Sequence, residues 1–285
     1  MEDRTTRERL RNHSRMVVAR SIPTVTGVTD FPRVPTLLDD AGGEFCACED
    51  ISVSTVATAC SYGYLPMGIY LPELPLLLVK AHVVRSVLDF DDLHVSKNAR
   101  RYARGLVIYR NRHFTHTLRT IVDTYRDRWL IPQLVTAFVE LYRAPRYGVR
   151  TVSFEVYEAD TFVAGEVGYE CCGVYTSLSG FHRKNGAGTV QLISTAEILT
   201  RDRFRFWDLG MEADYKTALG ARLVERRAFL RRYRQSAERT VGGSDRGLNG
   251  HRTDTSDSGR YDGPWNCVEL VQNARDRERV RRARR

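Results

Sequence analysis

The sequence predicts an α+β fold, with a small N-terminal α/β domain over residues 25–125 and a larger mixed domain over 126–239. Three observations carry this. Apolar residues recur at helical spacing up to about position 142, alternate with a period of two after Tyr147-Gly148, and nearly vanish beyond about Thr240. The 285 residues, 42% of them hydrophobic, hold enough apolar material for a core in one or two domains. A flexible basic N-terminus, 1–24, and a disordered basic tail, 240–285, are expected to flank them.

Taken in order, residues 25–38 are turn-rich, and 51–60, rich in Val, Thr and Ala, suits a strand or a short helix. The apolar run 71–84, LPELPLLLVKAHVV, is interrupted by prolines, Glu73 and Lys80 well short of a membrane span, so it is core or a cleft wall. Ser96 is placed to cap a basic helix through Arg100, Arg101 and Tyr102, and 107–109 reads as a short strand. Both 113–125 and 131–142 are predicted helices, the second carrying Leu134, Val135, Phe138, Leu141 and Tyr142 along one side. Alternation over 152–157, a turn at 158–160 and renewed alternation over 161–178 give an antiparallel meander. A helix over 191–199, a strand over 205–208 and helical turns at 215–221 and 227–233 close the domain.

Lys and Arg number 44 against 35 Asp and Glu, a formal net charge of +9. Such an excess attracts nucleic acid, an anionic membrane or an acidic protein, but a solvated tail accounts for it equally well. Residues 242–264 have almost no apolar side chains to offset the entropy of ordering the backbone; 268–285 are expected to form a short basic helix only on an anionic partner. The first sixteen residues mix acids with arginines and lack an apolar stretch, which excludes a secretory signal and leaves a transit peptide open. The six cysteines include no Cys-x-x-Cys pair, so they are read as buried thiols and no metal is expected. Cytoplasmic localisation, no membrane partner and a monomer are the corresponding expectations.

Residues 177–188, SLSGFHRKNGAG, and 205–221, RFWDLGMEADYKTALGA, carry the most specific pattern. Phe181, Arg183 and Lys184, then an acid, Asp208, at the end of an apolar strand, then Leu219-Gly220-Ala221 without a gap, resemble the C-terminal half of the leucyl/phenylalanyl-tRNA-protein transferases. Upstream, Tyr64-Leu65-Pro66, the run from Leu93 to Ser96 with Arg100-Arg101, and Trp129 before an amphipathic helix match the same family in order and spacing. The resemblance spans about 60–235 and implies a GNAT-like acyltransferase domain for the second half.

The resemblance also implies a chemistry. The family moves an amino acid of the Leu, Phe or Met type from charged tRNA to the α-amine of a protein that begins with Arg or Lys, as in N-degron degradation. An aminoacyl ester is already activated, so no cofactor is needed; the task is to desolvate, orient and deprotonate the amine. Asp208 is then expected to contact that amine; otherwise it caps the following turn or pairs with Arg203 or Arg205. Trp129 flanks the terminal adenosine or is a core tryptophan. Arg100, Arg101, Arg183 and Lys184 meet tRNA phosphates or form a solvated face.

Several family positions differ. Leu178 stands where the family has a glutamate, Gly210 where it has a glutamine, Tyr215 where it has a histidine, and only Arg85 survives from a tryptophan-rich segment. Glu166, where the family is apolar, or Glu212 then replaces the lost acid, which implies a changed acyl pocket. Two other classes remain open. Arg183-x-x-Gly186-x-Gly188 fits the loop with which GNAT-type enzymes hold a CoA pyrophosphate, pointing to an acyl-CoA-dependent N-acyltransferase. The lost acid and glutamine instead suit a non-catalytic tRNA- or protein-binding descendant.

Overall fold

The computed structural model describes residues 22–71, 74–125, 129–242 and 262–284. The expected N-terminal arm, but for residues 22–24, and 243–261 of the polar stretch 242–264 lie outside the described residues.

A 3-10 turn at Val28–Arg33 leads into helix α1, Val34–Ala41, so the segment expected to be turn-rich is helical. Strand β1, Phe45–Cys48, precedes α2, Val53–Ser61. Ser52 settles the strand-or-helix ambiguity there: its side chain accepts the Thr55 amide at 3.3 Å, an N-cap that commits the segment to helix. The interrupted apolar run forms parts of β2, Leu65–Leu71, β3, Leu74–Lys80, and β4, Val84–Leu88. Helix α3 is a short Ala99–Tyr102, and Ser96 holds it by its carbonyl, which accepts the Ala99 amide at 3.1 Å, rather than by a side-chain cap. Strand β5, Leu106–Arg110, is followed by helices α4, Phe114–Tyr125, and α5, Pro132–Arg143.

The meander is β6, Arg150–Glu158, β7, Thr161–Cys171, and β8, Val174–His182. Then come α6, Ala187–Arg201, β9, Phe206–Gly210, α7, Asp214–Leu219, β10, Arg222–Glu225, and α8, Arg226–Gly242. The chain closes with β11, Asp262–Asn266, and α9, Cys267–Ala283.

Strands β1, β3 and β2 form a small antiparallel sheet, and the other eight form one mixed sheet in the order β10-β4-β9-β8-β7-β6-β5-β11. All its neighbours are antiparallel except β8 and β9, the pair that needs the α6 crossover between them. The domain boundary expected at residue 125 falls inside this sheet, because β4 and β5 belong to it. Their partners, β9 and β6, are distant in sequence, and local periodicity carries no information about such pairing.

Two cores lie on the two faces of the sheet. One gathers Phe31, Leu77, Phe138, Tyr169, Phe206 and Phe229 under the small sheet and helices α1, α2, α4, α5 and α8. The other gathers Ile108, Phe154, Tyr175, Ile193, Trp207 and Leu270 under α6 and α9.

The tail expectation is corrected over 262–284. Strand β11 pairs with β5, and α9 buries Cys267, Leu270, Val271 and Ala274 in the second core. With Val268, half-buried against the same core, these are few apolar residues, but the spacing of three, one and three between the buried four places them on a single helical stripe. Asn266 caps the helix, accepting the Val268 amide at 2.8 Å, and the pairing covers what is otherwise the open edge of β5. Leu270→Ala is therefore expected to cost about 2–5 kcal/mol in denaturant unfolding, whereas an unattached tail would give a change within about 0.5 kcal/mol.

Candidate functional site

The two parallel strands part early. β8 and β9 pair only through Val174 with Phe206, Tyr175 with Trp207 and Thr176 with Asp208. Past that point β8 follows β7 alone, and both strands are irregular. Ser177 and Ser179 face consecutive residues Gly168 and Val167, leaving Leu178 as an extra residue. Asp208 and Gly210 likewise face Val87 and Ser86, leaving Leu209. Bulges of this kind re-aim side chains, and a crevice beyond the carboxyl ends of parallel strands is where α/β sheets bind ligands.

On the first-core face lies Asp208, with no exposed surface. Arg85 of β4 grips it with two bonds of 3.0 Å, from Nε to Oδ1 and from Nη2 to Oδ2. The same Nη2 donates to the Gly63 carbonyl at 2.8 Å, and the guanidinium lies 4.6 Å over the Phe229 ring. The Gly210 amide also donates to Oδ1, at 3.0 Å, so the acid does cap its own turn, but its cationic partner is Arg85 rather than Arg203 or Arg205. Gly210 has φ +76°, a conformation that strains any side chain. That conformation turns the Gly210 backbone N–H onto the acid. Both oxygens of this carboxylate, which has no exposed surface, are therefore occupied by protein donors.

On the opposite face is Glu166, 4% exposed. It accepts from Tyr175 Oη at 3.1 Å, from Ser177 Oγ, and from Gln191 Nε2 at 2.8 Å. Trp207 Nε1 donates to Ser177 Oγ at 2.8 Å, and Gln191 reaches Thr195 Oγ1 at 3.0 Å, so β9, β8, β7 and α6 share one polar network. Burial pushes the Glu166 carboxyl above its ordinary range, against the lowering effect of its three donors. Lys216 of α7 donates to the Leu209 and Met211 carbonyls at 2.7 Å each, fastening the end of β9. Burial lowers its pKa, while the charges of Asp208 and Glu166 oppose that.

The other expected residues are distributed around this junction. Phe181 is buried edge-on against Phe162 at 4.9 Å, and Leu178, at the bulge, is half-buried against the first core. Trp129 packs elsewhere: its carbonyl accepts the Gly68 amide at 2.7 Å and its half-buried indole lies 6.5 Å from Phe138. Arg100, Arg101 and Arg183 are exposed, and Lys184 is ion-paired with Glu158. The Arg101 guanidinium lies 5.1 Å over Tyr102, whose ring sits 2.3 Å from where a Gly186 Cβ would be. The arginine pair and the 183–188 loop thus come together. Gly186, with φ +77°, is required by that contact and by its backbone, which removes the need for a CoA pyrophosphate to explain it. Among the described residues no group of three or more His, Cys, Asp or Glu is arranged to hold a metal.

Sequence reasoning missed Ser177, Gln191 and Lys216 and undervalued Arg85. The available signals were a lone arginine inside an apolar strand and Gln191 and Thr195 one turn apart on an otherwise apolar helix face.

A family model described as leucyl/phenylalanyl-tRNA protein transferase matches residues 87–234. The chain belongs to that family. Its leucyl/phenylalanyl-tRNA--protein transferase relatives include one from Syntrophobacter fumaroxidans, 29% identical over 206 residues, covering 70% of this chain and 84% of that one. Another, from Solidesulfovibrio magneticus, is 26% identical over 221 residues and covers 75% and 87%. Among solved structures, FemX gives a TM-score of 0.40 at 12% identity, covering 70% of this chain and 76% of that one, too low to establish a shared fold. The family span begins in β4 and ends in α8, so β11 and α9 lie outside it.

The raised Glu166 carboxyl fixes a sign for pH dependence. An acid whose folded pKa lies above its unfolded value binds more protons when folded, so its contribution is present at low pH and lost as pH rises through the folded pKa. Glu166→Gln removes this group, and its stability relative to wild type is expected to improve as pH increases from 5 to 8, as measured by urea unfolding at each pH. An unchanged gap would show that Glu166 is not raised.

Proposed function

We propose that the protein transfers an amino acid from a charged tRNA to the N-terminal α-amine of a protein beginning with Arg or Lys, acting as a cytoplasmic monomer through a GNAT-like domain. The observation that carries this is the family's strand acid, Asp208, held where β8 and β9 part. The amine attacks the ester carbonyl, the C–N bond forms, and the ribose oxygen leaves with a proton; positioning supplies most of the acceleration.

In this reading Asp208 is a positioning residue. It fixes the Gly210 amide and the Arg85 guanidinium, and with them the end of β9 against which the reacting groups are aligned. Arg100, Arg101 and Arg183 take tRNA phosphates, Lys184 joining them when released from Glu158. Trp129 offers the exposed part of its ring to the terminal adenosine. Phe181 and Leu178 form the apolar wall beside the junction.

The test is a transfer assay with the whole set of charged tRNAs and peptides starting with Arg, Lys or Ala. Turnover on Arg and Lys peptides is expected, and Asp208→Asn should lower kcat by about 10²-fold with little change in KM while thermal unfolding stays cooperative. Wild-type kcat in a folded Asp208→Asn variant would dismiss the positioning role, and no turnover from any donor would dismiss the function. Arg101→Ala should weaken tRNA binding alike for all tRNAs and reduce the slope of log K against log salt by about 1.

A further inference from the structure

In an extended strand neighbouring side chains point to opposite faces, so adjacent cysteines keep their sulfurs apart. Cys171 and Cys172 do not. Cys171, the last residue of β7, pairs with Val174, the first of β8, which leaves Cys172 and Gly173 as a two-residue turn with φ of +55° and +72°. Two consecutive left-handed residues match the twist of a hairpin, and Asn, Asp or Gly ordinarily fill the first of these positions. A cysteine there bears backbone strain that turn chemistry does not explain. With the chain turned in this way, the Cys172 sulfur lies 3.2 Å from that of Cys171.

The two thiols have opposite surroundings. Of the six cysteines five are buried, Cys171 among them, and Cys172 is half-buried. Arg205, just ahead of β9, lies across the turn: its amide donates to the Gly173 carbonyl at 2.8 Å, and its Nε stands 3.4 Å from where a Gly173 Cβ would be. That Nε is buried and finds no acceptor among the described residues. A buried donor left without an acceptor is uncommon and costly, and a negatively charged sulfur on the adjoining Cys172 would give it one. The bond from Cys171, with the charge of Arg205, holds the Cys172 thiol below its ordinary range against partial burial, and the same bond together with burial pushes Cys171 up. A reachable thiol of lowered pKa beside a second thiol is the arrangement of a redox-active pair.

We propose that Cys171 and Cys172 form a redox site that closes to a vicinal disulfide on reaction with a hydroperoxide and reopens with a dithiol. It is separate from aminoacyl transfer and does not rest on that reading. The Cys172 thiolate attacks the terminal oxygen of the hydroperoxide; the O–O bond breaks, the alcohol leaves with a proton, and Cys172 becomes a sulfenic acid. The Cys171 sulfur then attacks the Cys172 sulfur, the S–O bond breaks, and the hydroxyl leaves as water with the Cys171 proton. Two electrons pass from the sulfurs to the peroxide, giving one disulfide, one alcohol and one water. Adjacent Cα atoms are about 3.8 Å apart, against about 4.4–6.8 Å across an ordinary disulfide, so the closed ring is strained and readily reduced. It is a reversible modification rather than a structural bridge.

The experiment treats the full, reduced chain with stoichiometric hydrogen peroxide, blocks free thiols by alkylation and follows tryptic peptide 151–183, whose only cysteines are these two. The native protein is expected to yield this peptide unalkylated and lighter by two hydrogens, about 2 Da, and dithiothreitol should restore two alkylatable thiols. Cys171→Ser should stop at a sulfenic acid on Cys172 that dimedone traps, and Arg205→Met should slow ring closure by about tenfold, as loss of the cation raises the thiol pKa. An equal rate in folded Arg205→Met overturns the part given to Arg205. Should a variant fail to fold in a thermal melt, the wild-type peptide decides. Two alkylated thiols after peroxide, sulfinic acid on Cys172 with Cys171 still free, or a dimer linked through Cys172 overturns the proposal. So does equally fast closure in urea-unfolded chain, since the folded turn would then contribute nothing.

Discussion

The ion pair between Arg85 and Asp208 is the constraint on which the centre of the molecule depends. It joins neighbouring strands β4 and β9, and through the Gly63 carbonyl it reaches the loop after α2, so one guanidinium ties the small-sheet region to the main sheet. Burying two charges is repaid only when the geometry is good and the remaining polar atoms are bonded. Both conditions hold here: the contact is bidentate, Gly210 supplies a further amide, and Phe229 covers the guanidinium. Loss of either partner leaves an uncompensated charge, so the bulge at Leu209 and the pair are mutually enforcing.

The parting of β8 and β9 follows from this arrangement. Asp208 points to one core and Trp207 to the other, and each is pinned, the first by Arg85 and the second through its indole N–H on Ser177. With both anchored, β9 cannot continue alongside β8, and Lys216 satisfies the two carbonyls left at its end. The polar network around Glu166 fills space that an apolar core would fill more cheaply. Fully bonded buried networks of this kind rigidify the elements they join, here β7, β8, β9 and α6.

What the sequence disclosed divides along a physical line. Helices α4, α5 and α6 and the strands of the meander were legible because period, turn residues and caps are local, and Asp208 was legible because an acid ending an apolar strand is a conspicuous exception. Its burial was not, since that requires knowing that Arg85, 123 residues away, pairs with it. The boundary near 125 failed for the same reason, as β4 and β5 find their partners only in the folded sheet. The tail failed on counting: few residues of the segment are apolar, but the four buried ones are sufficient for one helical stripe. The Arg-x-x-Gly-x-Gly pattern misled in the other direction, because Gly186 answers to the Tyr102 ring.

The ordered tail also decides how the net charge is to be divided. Arginines of α9 that composition alone assigns equally to a solvated tail or a polyanion have protein partners: Arg275 donates to the Ser96 and Lys97 carbonyls, Arg277 pairs with Glu197, and Arg282 pairs with Glu278. Glu278 in turn holds the Val95 amide at 3.2 Å and His94 at 2.8 Å, fixing the approach to α3, where Arg100 and Arg101 sit. A good part of the arginine excess is thus spent in fastening α9 to α6 and to the segment before α3. Arg101 and the 183–188 loop meet over Tyr102, so α9, which lies outside the family span, acts on this basic stretch indirectly, by holding in place the segment that carries it.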